Sequence, residues 1–369
     1  MAEDSKTRLM SLDALRGFDM FWIIGGAGLV SALARVCGLP EGWTETLDLQ
    51  FTHVTWEGFR FFDLIFPLFV FLSGVAVPFS VLSKRGRGDS VAKLQFGIVK
   101  RSLVLVAIGL SFSVFRFDPS MVRLYTVLYL IGMAYMIGAS LALHITRIRR
   151  LFITGILILV GYHLAMMFLP YPGREAGLTP ANNLAAWIDR NLIPTNLYRT
   201  VYDPEGTIRV IPAGVLCLFG VIAGLRIKAN AKPSWRCAGE LAAAGLIALI
   251  AGWLWSFSFP IIKDLWSPSF ILWSAGWALL LLAIFYGVID VLGLRWMGFF
   301  FVPIGMNAIV IYASQWYVPW GGIRDFFFSG FAGTMGSDDW KQLVMSGGLL
   351  AVQWALLFWM HRQRIHVRV

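Results

Sequence analysis

The stretch THVTWEGFRFFDLIFPLFVFLSG, Thr52 to Gly74, decides how this chain is read. From Phe61 onward it is almost unbroken hydrocarbon, the signature of a helix crossing a bilayer, yet it is entered through His53, Glu57, Arg60 and Asp63. Ionisable groups at the edge of an apolar span are costly, so they persist where they pair or where they do chemistry. A second block of the same kind, RLMSLDALRGFDMFW from Arg8 to Trp22, puts Asp13, Arg16 and Asp19 at the start of another apolar run.

Outward from these two blocks the pattern repeats. Hydrophobic residues make up 58% of 369 positions and charged residues only 14%, well to the apolar side of ordinary globular composition. About ten windows reach the length of roughly 20 residues that a helix needs to cross the hydrocarbon layer. They lie near 17–38, 61–83, 99–116, 122–144, 151–170, 209–227, 238–258, 269–290, 299–318 and 341–361. The expected fold class is therefore all-α, a polytopic bundle of about ten transmembrane helices forming one domain over residues 1–369.

A net charge of +10 suggests nucleic acid in a soluble protein, but here Lys and Arg gather on alternate loops, as in Lys84, Arg85, Arg87, Lys93, Lys100 and Arg101 or Arg147, Arg149 and Arg150. The positive-inside rule places both termini in the cytoplasm with an even number of spans, and no nucleic-acid partner is expected. The stretch 171–208 then faces the exoplasmic side, where its Pro-, Asn- and Gly-rich start and the amphipathic NLAAWIDRNLI form a small cap. The basic loop SKRGRGDSVAKLQFGIVKRS is an orientation signal first, with anionic lipid or nucleotide phosphate as its second reading. Cys37, Cys217 and Cys237 have no metal-ligand spacing, so neither a metal nor a disulfide framework is expected. The first span lacks a small-residue cleavage site and reads as permanent.

Asp13, Arg16 and Asp19 lie at i, i+3 and i+6, where Arg16 can pair with either carboxylate; a pinned helix start with Ser11 as N-cap is the structural alternative. His53, Glu57 and Arg60 share a face if their segment is helical, and a neutral imidazole there can serve as base or nucleophile with Glu57 orienting it. Pro67 removes a backbone donor and frees the carbonyl of Asp63, an expected polar break. In YDPEG, Asp203 and Pro204 read as N-cap and first helical residue, with Glu205 in the first turn. Asn307, inside the ninth window, is expected to hydrogen-bond across helices.

RLMSLDALRG, then H-x-x-W-x-G at His53 to Gly58 followed by DLIFPLFVFLSG, then YDPEG, DLWSPSF and GMNAIVIY, in this order over nearly the whole chain, resemble the transmembrane heparan-α-glucosaminide N-acetyltransferase family and its bacterial relatives. The resemblance implies transfer of an acetyl group from cytosolic acetyl-CoA to the amine of an exoplasmic amino sugar, with His53 as the active-site histidine. Asp63, Glu57, Asp203, Glu205 and Asn307 become groups that position the acceptor. Arg8, Asp13, Arg16, Lys100 and Arg101 are expected at the mouth that takes the CoA nucleotide, its pantetheine arm reaching through the bundle. A bacterial cytoplasmic membrane, membrane lipids and a homodimer complete the expected setting. The animal enzymes carry a further luminal domain and leading span, so the match is to their catalytic membrane part. Ala27 stands where a polar Asn or Glu is expected, and Glu57 where the animal motif has Asn. A sugar or lipid-linked glycan transporter using the same charges, and a non-catalytic family member, are the alternatives.

Overall fold

The computed structural model describes residues 9–114, 122–173, 177–192 and 196–367, and among these there are helices, turns and two isolated bridges but no β-strand. In chain order the helices are α1 (Met10–Phe21), α2 (Ala27–Val36), α3 (Glu41–Gln50), α4 (Phe62–Val75), α5 (Val81–Gly86), α6 (Val91–Val114), α7 (Val127–His144) and α8 (Ile148–Phe168). They continue as α9 (Leu184–Asn191), α10 (Val210–Lys228), α11 (Trp235–Ser256), α12 (Pro268–Phe285), α13 (Phe301–Met306), α14 (Ala308–Tyr317), α15 (Trp320–Gly333) and α16 (Asp338–Arg362). A π-turn at Trp22–Gly26 joins α1 to α2 and another at Tyr286–Val291 ends α12.

Among the described residues eight helices are long and apolar enough to cross a membrane, each on one of the expected windows, and the protein is an integral membrane protein of the all-α class. The other two windows differ. The window 61–83 holds the 14-residue α4, which runs straight through Pro67 and stops at Val75 before a turn and the short α5. At about 1.5 Å per residue, α4 spans roughly 21 Å, less than the ~30 Å of hydrocarbon. The window 299–318 is cut into α13 and α14 at Asn307, whose backbone leaves the helical region at φ −124°, ψ 32°.

The chain forms two compact units. One comprises residues 9–53, 60–65 and 285–367, and the other the described parts of 54–59 and 66–284. After the excursion of 54–59, the chain passes from the first to the second within α4, next to Pro67, and back at Phe285, the last residue of α12. The first unit is built on α1 packed along α13, with α16 against α2 and α15. In the second, α10 is the central helix, 78% of its best window being buried, whereas α8 and α11 bury only 28%. Close backbone approach explains its position: a Cβ on Gly74 of α4 would lie 1.9 Å from the carbonyl oxygen of Cys217, and one on Gly220 of α10 would lie 2.0 Å from that of Phe71. With Gly224, whose Cβ would lie 2.5 Å from the Val75 carbonyl oxygen, these glycines let the two helices meet at backbone distance, as small residues do between helices in lipid.

The expected cap is ordered around α9. Leu184 and Ala185 pack with Tyr162, Met166, Phe259, Ile262 and Leu265, with Trp56 and Tyr171 at the margin of the cluster. Asn183 caps α9 by accepting from the Ala186 N–H, and the Trp56 indole N–H donates to the Leu178 carbonyl at 2.7 Å.

Candidate functional site

Residues 51–61 are not helical. The i, i+4 face that would have brought Glu57 to His53 therefore does not exist; Glu57 is exposed and pairs by its backbone with Ile262. The partner of His53 is Asp63, in the first turn of α4. His53 Nδ1 lies 2.8 Å from Asp63 Oδ1, with the imidazole half exposed at 51% and the carboxylate wholly buried. A carboxylate only accepts, so Nδ1 carries the proton of this bond, and in the neutral ring the lone pair lies on Nε2. The other carboxylate oxygen accepts from the Arg60 N–H at 3.0 Å, and the Asp63 N–H donates back to the Arg60 carbonyl. This reciprocal closure of the helix start fixes Asp63 before it meets the histidine. The Arg60 guanidinium donates to Thr52 Oγ1 (2.6 Å) and to the His53 carbonyl (3.0 Å), and the Phe62 ring lies against the imidazole at 5.2 Å. Backbone, ring face and Nδ1 are all held, and the chemistry left to His53 is that of a positioned base or nucleophile.

Asp203 does not cap a helix. Its Oδ1 accepts from the Glu205 N–H in an Asx-turn, and the helical segment begins at Thr207, with Gly206 before it. The carboxylate is fully buried and gripped by Arg123, which donates through Nε to Oδ2 (2.6 Å) and through Nη2 to Oδ1 (2.7 Å), while the Tyr198 N–H adds a further bond to Oδ2. Arg123 also pairs with Glu205. The Asp203 N–H donates to Asp189 Oδ2, which accepts as well from Arg209 Nη1 at 2.6 Å, both side chains wholly buried. Arg209 Nε reaches the Asp264 carbonyl, and the Tyr202 hydroxyl donates to Asp264 Oδ2 at 2.6 Å. Gly206 makes room for this: a Cβ there would stand 2.1 Å from Asp189 Oδ1.

Burial pushes the Glu205 carboxyl up to about 8, Arg123 opposing and Asp203 adding to the shift. It likewise raises Asp189, against Arg209, and raises the Tyr202 phenol, which its bond to Asp264 holds in the donor state. With every lone-pair direction of Asp203 engaged, Glu205 is the member of the YDPEG turn that retains capacity to meet a ligand.

At the sites expected for the donor, Arg8 lies outside the described residues. Arg16 pairs with Asp13 at 3.5 Å, whereas Asp19 is wholly buried and neither of its oxygens has a hydrogen-bond partner among the described residues. Ser11 is no N-cap: α1 begins one residue earlier and the Ser11 hydroxyl donates to Asp290. Lys100 is exposed, but Arg101 stacks on Tyr135 at 4.7 Å and lines a cavity of about 300 Å³ with Lys84, Lys93 and Asp89. The basic loop thus supplies three cations and one carboxylate to a single concavity, an arrangement suited to phosphate. Asn307 bonds neither helix to helix nor α13 to α14 through its side chain; its amide donates to the Ile365 carbonyl and accepts from the Val367 N–H, holding the C-terminal segment.

Arg123, Asp189 and Arg209 escape a reading by spacing, because their partners are tens of residues away. The available signal was Arg209, an arginine at the rim of the apolar run that becomes α10, and Asp189, the acid within the amphipathic α9.

No family model matches the chain. Among curated proteins it is similar to heparan-alpha-glucosaminide N-acetyltransferase of Mus musculus, 31% identical over 368 residues covering 84% of this chain and 54% of that protein. It is also 31% identical to heparan-alpha-glucosaminide N-acetyltransferase of Homo sapiens over 325 residues, covering 72% of this chain and 48% of that protein. The chain spans about half the length of the curated relatives it matches. With this identity over most of its length, the chain belongs to the heparan-α-glucosaminide N-acetyltransferase family.

Proposed function

We propose that the protein is a transmembrane acetyltransferase that moves the acetyl group of cytosolic acetyl-CoA to the amine of an exoplasmic amino sugar, with His53 as the group that handles the proton. The observation that carries this reading is the His53–Asp63 pair: a buried carboxylate fixes Nδ1, and the Nε2 lone pair belongs to a half-exposed ring. The names of the relatives supply the reaction class.

In direct transfer, Nε2 accepts the proton of the attacking amine as nitrogen bonds to the thioester carbonyl carbon. The C–S bond then breaks and the leaving thiolate takes the proton back from the imidazolium, while Asp63 stabilises the transient cation. In the two-step form Nε2 attacks the thioester carbonyl carbon and the C–S bond breaks with CoA leaving as the thiolate; the amine then attacks the acetyl carbon, the N–C bond to Nε2 breaks, and the freed imidazole takes the amine proton. Glu205 is the acceptor-facing acid, the remainder of the Arg123–Asp203 network holding its turn in place. Lys84, Lys93 and Arg101 are the cations for the CoA phosphates, with the exposed Lys100 next to Arg101 in the chain.

The test is acetyl transfer to glucosamine by purified protein in proteoliposomes. His53→Ala is expected to lose at least two orders of magnitude in kcat while still binding CoA. Activity within a few-fold of wild type would overturn the assignment, and glycan uptake that needs no acetyl-CoA would replace it with transport.

A further inference from the structure

A cavity of about 460 Å³, within the range of specific small-molecule sites, opens between α8 and α11. Its floor is α10 and α12, where Phe219, Ala223 and Ala275 leave the space open. On α8 it follows the i, i+4, i+8 stripe of Ile148, Phe152 and Ile156, and on α11 it runs from Glu240 to Ala251. At 1.5 Å per residue these are about 12 and 16 Å of helix. The groove is therefore long and narrow, and it starts at one end of the bundle and runs inward.

Its walls are hydrocarbon, so water has too few polar partners to fill it. Its rims are the outward faces of α8 and α11, where Phe152 is 50% and Ile247 67% exposed. In a bilayer such a slot is filled by an acyl chain. The end of the groove is not neutral. Arg226 and Arg236 both pair with Glu240, and Arg149 and Arg150, which flank Ile148 and Phe152 on α8, have no ion-pair partner among the described residues. Two guanidiniums on Glu240 and two more beside Ile148 in the chain leave a positive excess at this end of the groove, the level of a lipid headgroup, each cation there favouring an anionic lipid several-fold.

We propose that this groove is a binding site for one anionic phospholipid, its acyl chain lying between α8 and α11 and its phosphate on Arg149, Arg226 and Arg236. The site lies wholly within the second unit, uses none of the residues assigned to acetyl transfer, and stands independently of that assignment.

The test is native mass spectrometry of the full chain, purified in mild detergent and equilibrated with an equal mixture of phosphatidylglycerol and phosphatidylcholine of matched chain length. Wild type is expected to retain one phosphatidylglycerol. Ala248→Trp, which plugs the groove, should lose it, while Ala243→Trp, which adds the same bulk to an exposed position of α11 outside the groove, should keep it. The pair Arg149→Gln and Arg236→Gln should still hold a lipid but lower its anionic preference by roughly tenfold. Should Ala248→Trp not be monodisperse, the smaller Ala244→Leu with Ala251→Leu fills the same space and is judged by the same outcome. Equal retention by the plugged and control variants, equal binding of both lipids by wild type, or a dimer-to-monomer change on plugging would each overturn the proposal, the last by identifying a second copy of the chain as the occupant.

Discussion

At the scale of single residues, the arrangement separates groups that hold from groups that act. Asp63 holds: buried and bonded by its own helix start, it gives His53 one tautomer. Asp63→Asn keeps the shape but lets the amide nitrogen face Nδ1, favouring the wrong tautomer, so kcat is expected to fall by about two to four orders of magnitude with KM for acetyl-CoA nearly unchanged; an equal rise in KM would instead mark Asp63 as a binding group. Arg123 is the corresponding keystone of the other network. Arg123→Gln strands the buried Asp203 carboxylate, at a cost of about 3–5 kcal/mol in thermal or denaturant stability. Glu205 gives a pH signature. It releases its proton near the usual carboxylate range when unfolded and near 8 when folded. The folded protein therefore holds the extra proton in between, and the stability this lends is complete below about 4.5 and declines as pH rises toward 8. Asp189, also raised, acts in the same direction. The melting temperature of wild type should fall from pH 5 to pH 8.5, and Glu205→Gln should flatten that slope; an unchanged slope would place the proton elsewhere. Candidate residues were legible at this scale, but pairing was misread even within ten residues, where a helical reading gave His53 to Glu57 and not to Asp63. Pairing was illegible where it spans 80 residues, as from Arg123 to Asp203, because charge in a sequence reveals need for a partner but not its address.

At the scale of elements, eight of the apolar windows became helices long enough to cross, one of them, α1 with α2, kinked at Gly25. The two that did not are instructive. Asn307 was read as a bridge between intact helices, but an amide inside an apolar span can satisfy itself more fully by opening the helix and binding backbone groups of the C-terminal segment. Pro67 was read as a polar break, and α4 keeps its helical course through it while lacking the one backbone N–H that proline cannot supply. Glycine contacts were invisible in the sequence for a different reason: 37 glycines occur in the chain, and nothing local marks those that meet a neighbouring backbone. Gly220→Ala, whose methyl would lie 2.0 Å from the Phe71 carbonyl oxygen, is expected to force α10 from α4 and cost about 3 kcal/mol or more. Gly239→Ala, with nothing within 4 Å of its Cβ, is expected to leave stability unchanged or slightly raised.

For the whole molecule, the decisive quantity is how many times the chain crosses the membrane, because it sets the side on which His53 works. Eight helices have the length to cross; the short α4 and the divided α13 and α14 bring the number to ten only if both segments also traverse. Charge supports that reading, since ten crossings put the basic 84–101 region on the cytoplasmic side with both termini. Thiol labelling in intact cells separates the cases. Cys37 is exposed, whereas Cys217 and Cys237 are buried, so an impermeant maleimide reports on Cys37 in the native chain. With Cys37→Ser as background, Gly88→Cys and Gly173→Cys report on either side of the helices α6, α7 and α8. If α4 crosses, Cys37 and Gly173→Cys label from outside and Gly88→Cys only after permeabilisation. If α4 enters and returns, Cys37 still labels from outside, but the other two positions exchange, because every crossing after α4 changes sense. Labelling of Cys37 only after permeabilisation would invert the whole molecule and place His53 on the cytosolic side. The expected result is the first pattern, which leaves the donor cations on the face where acetyl-CoA is made and the His53–Asp63 pair at the opposite face, so that only the acetyl group has to cross.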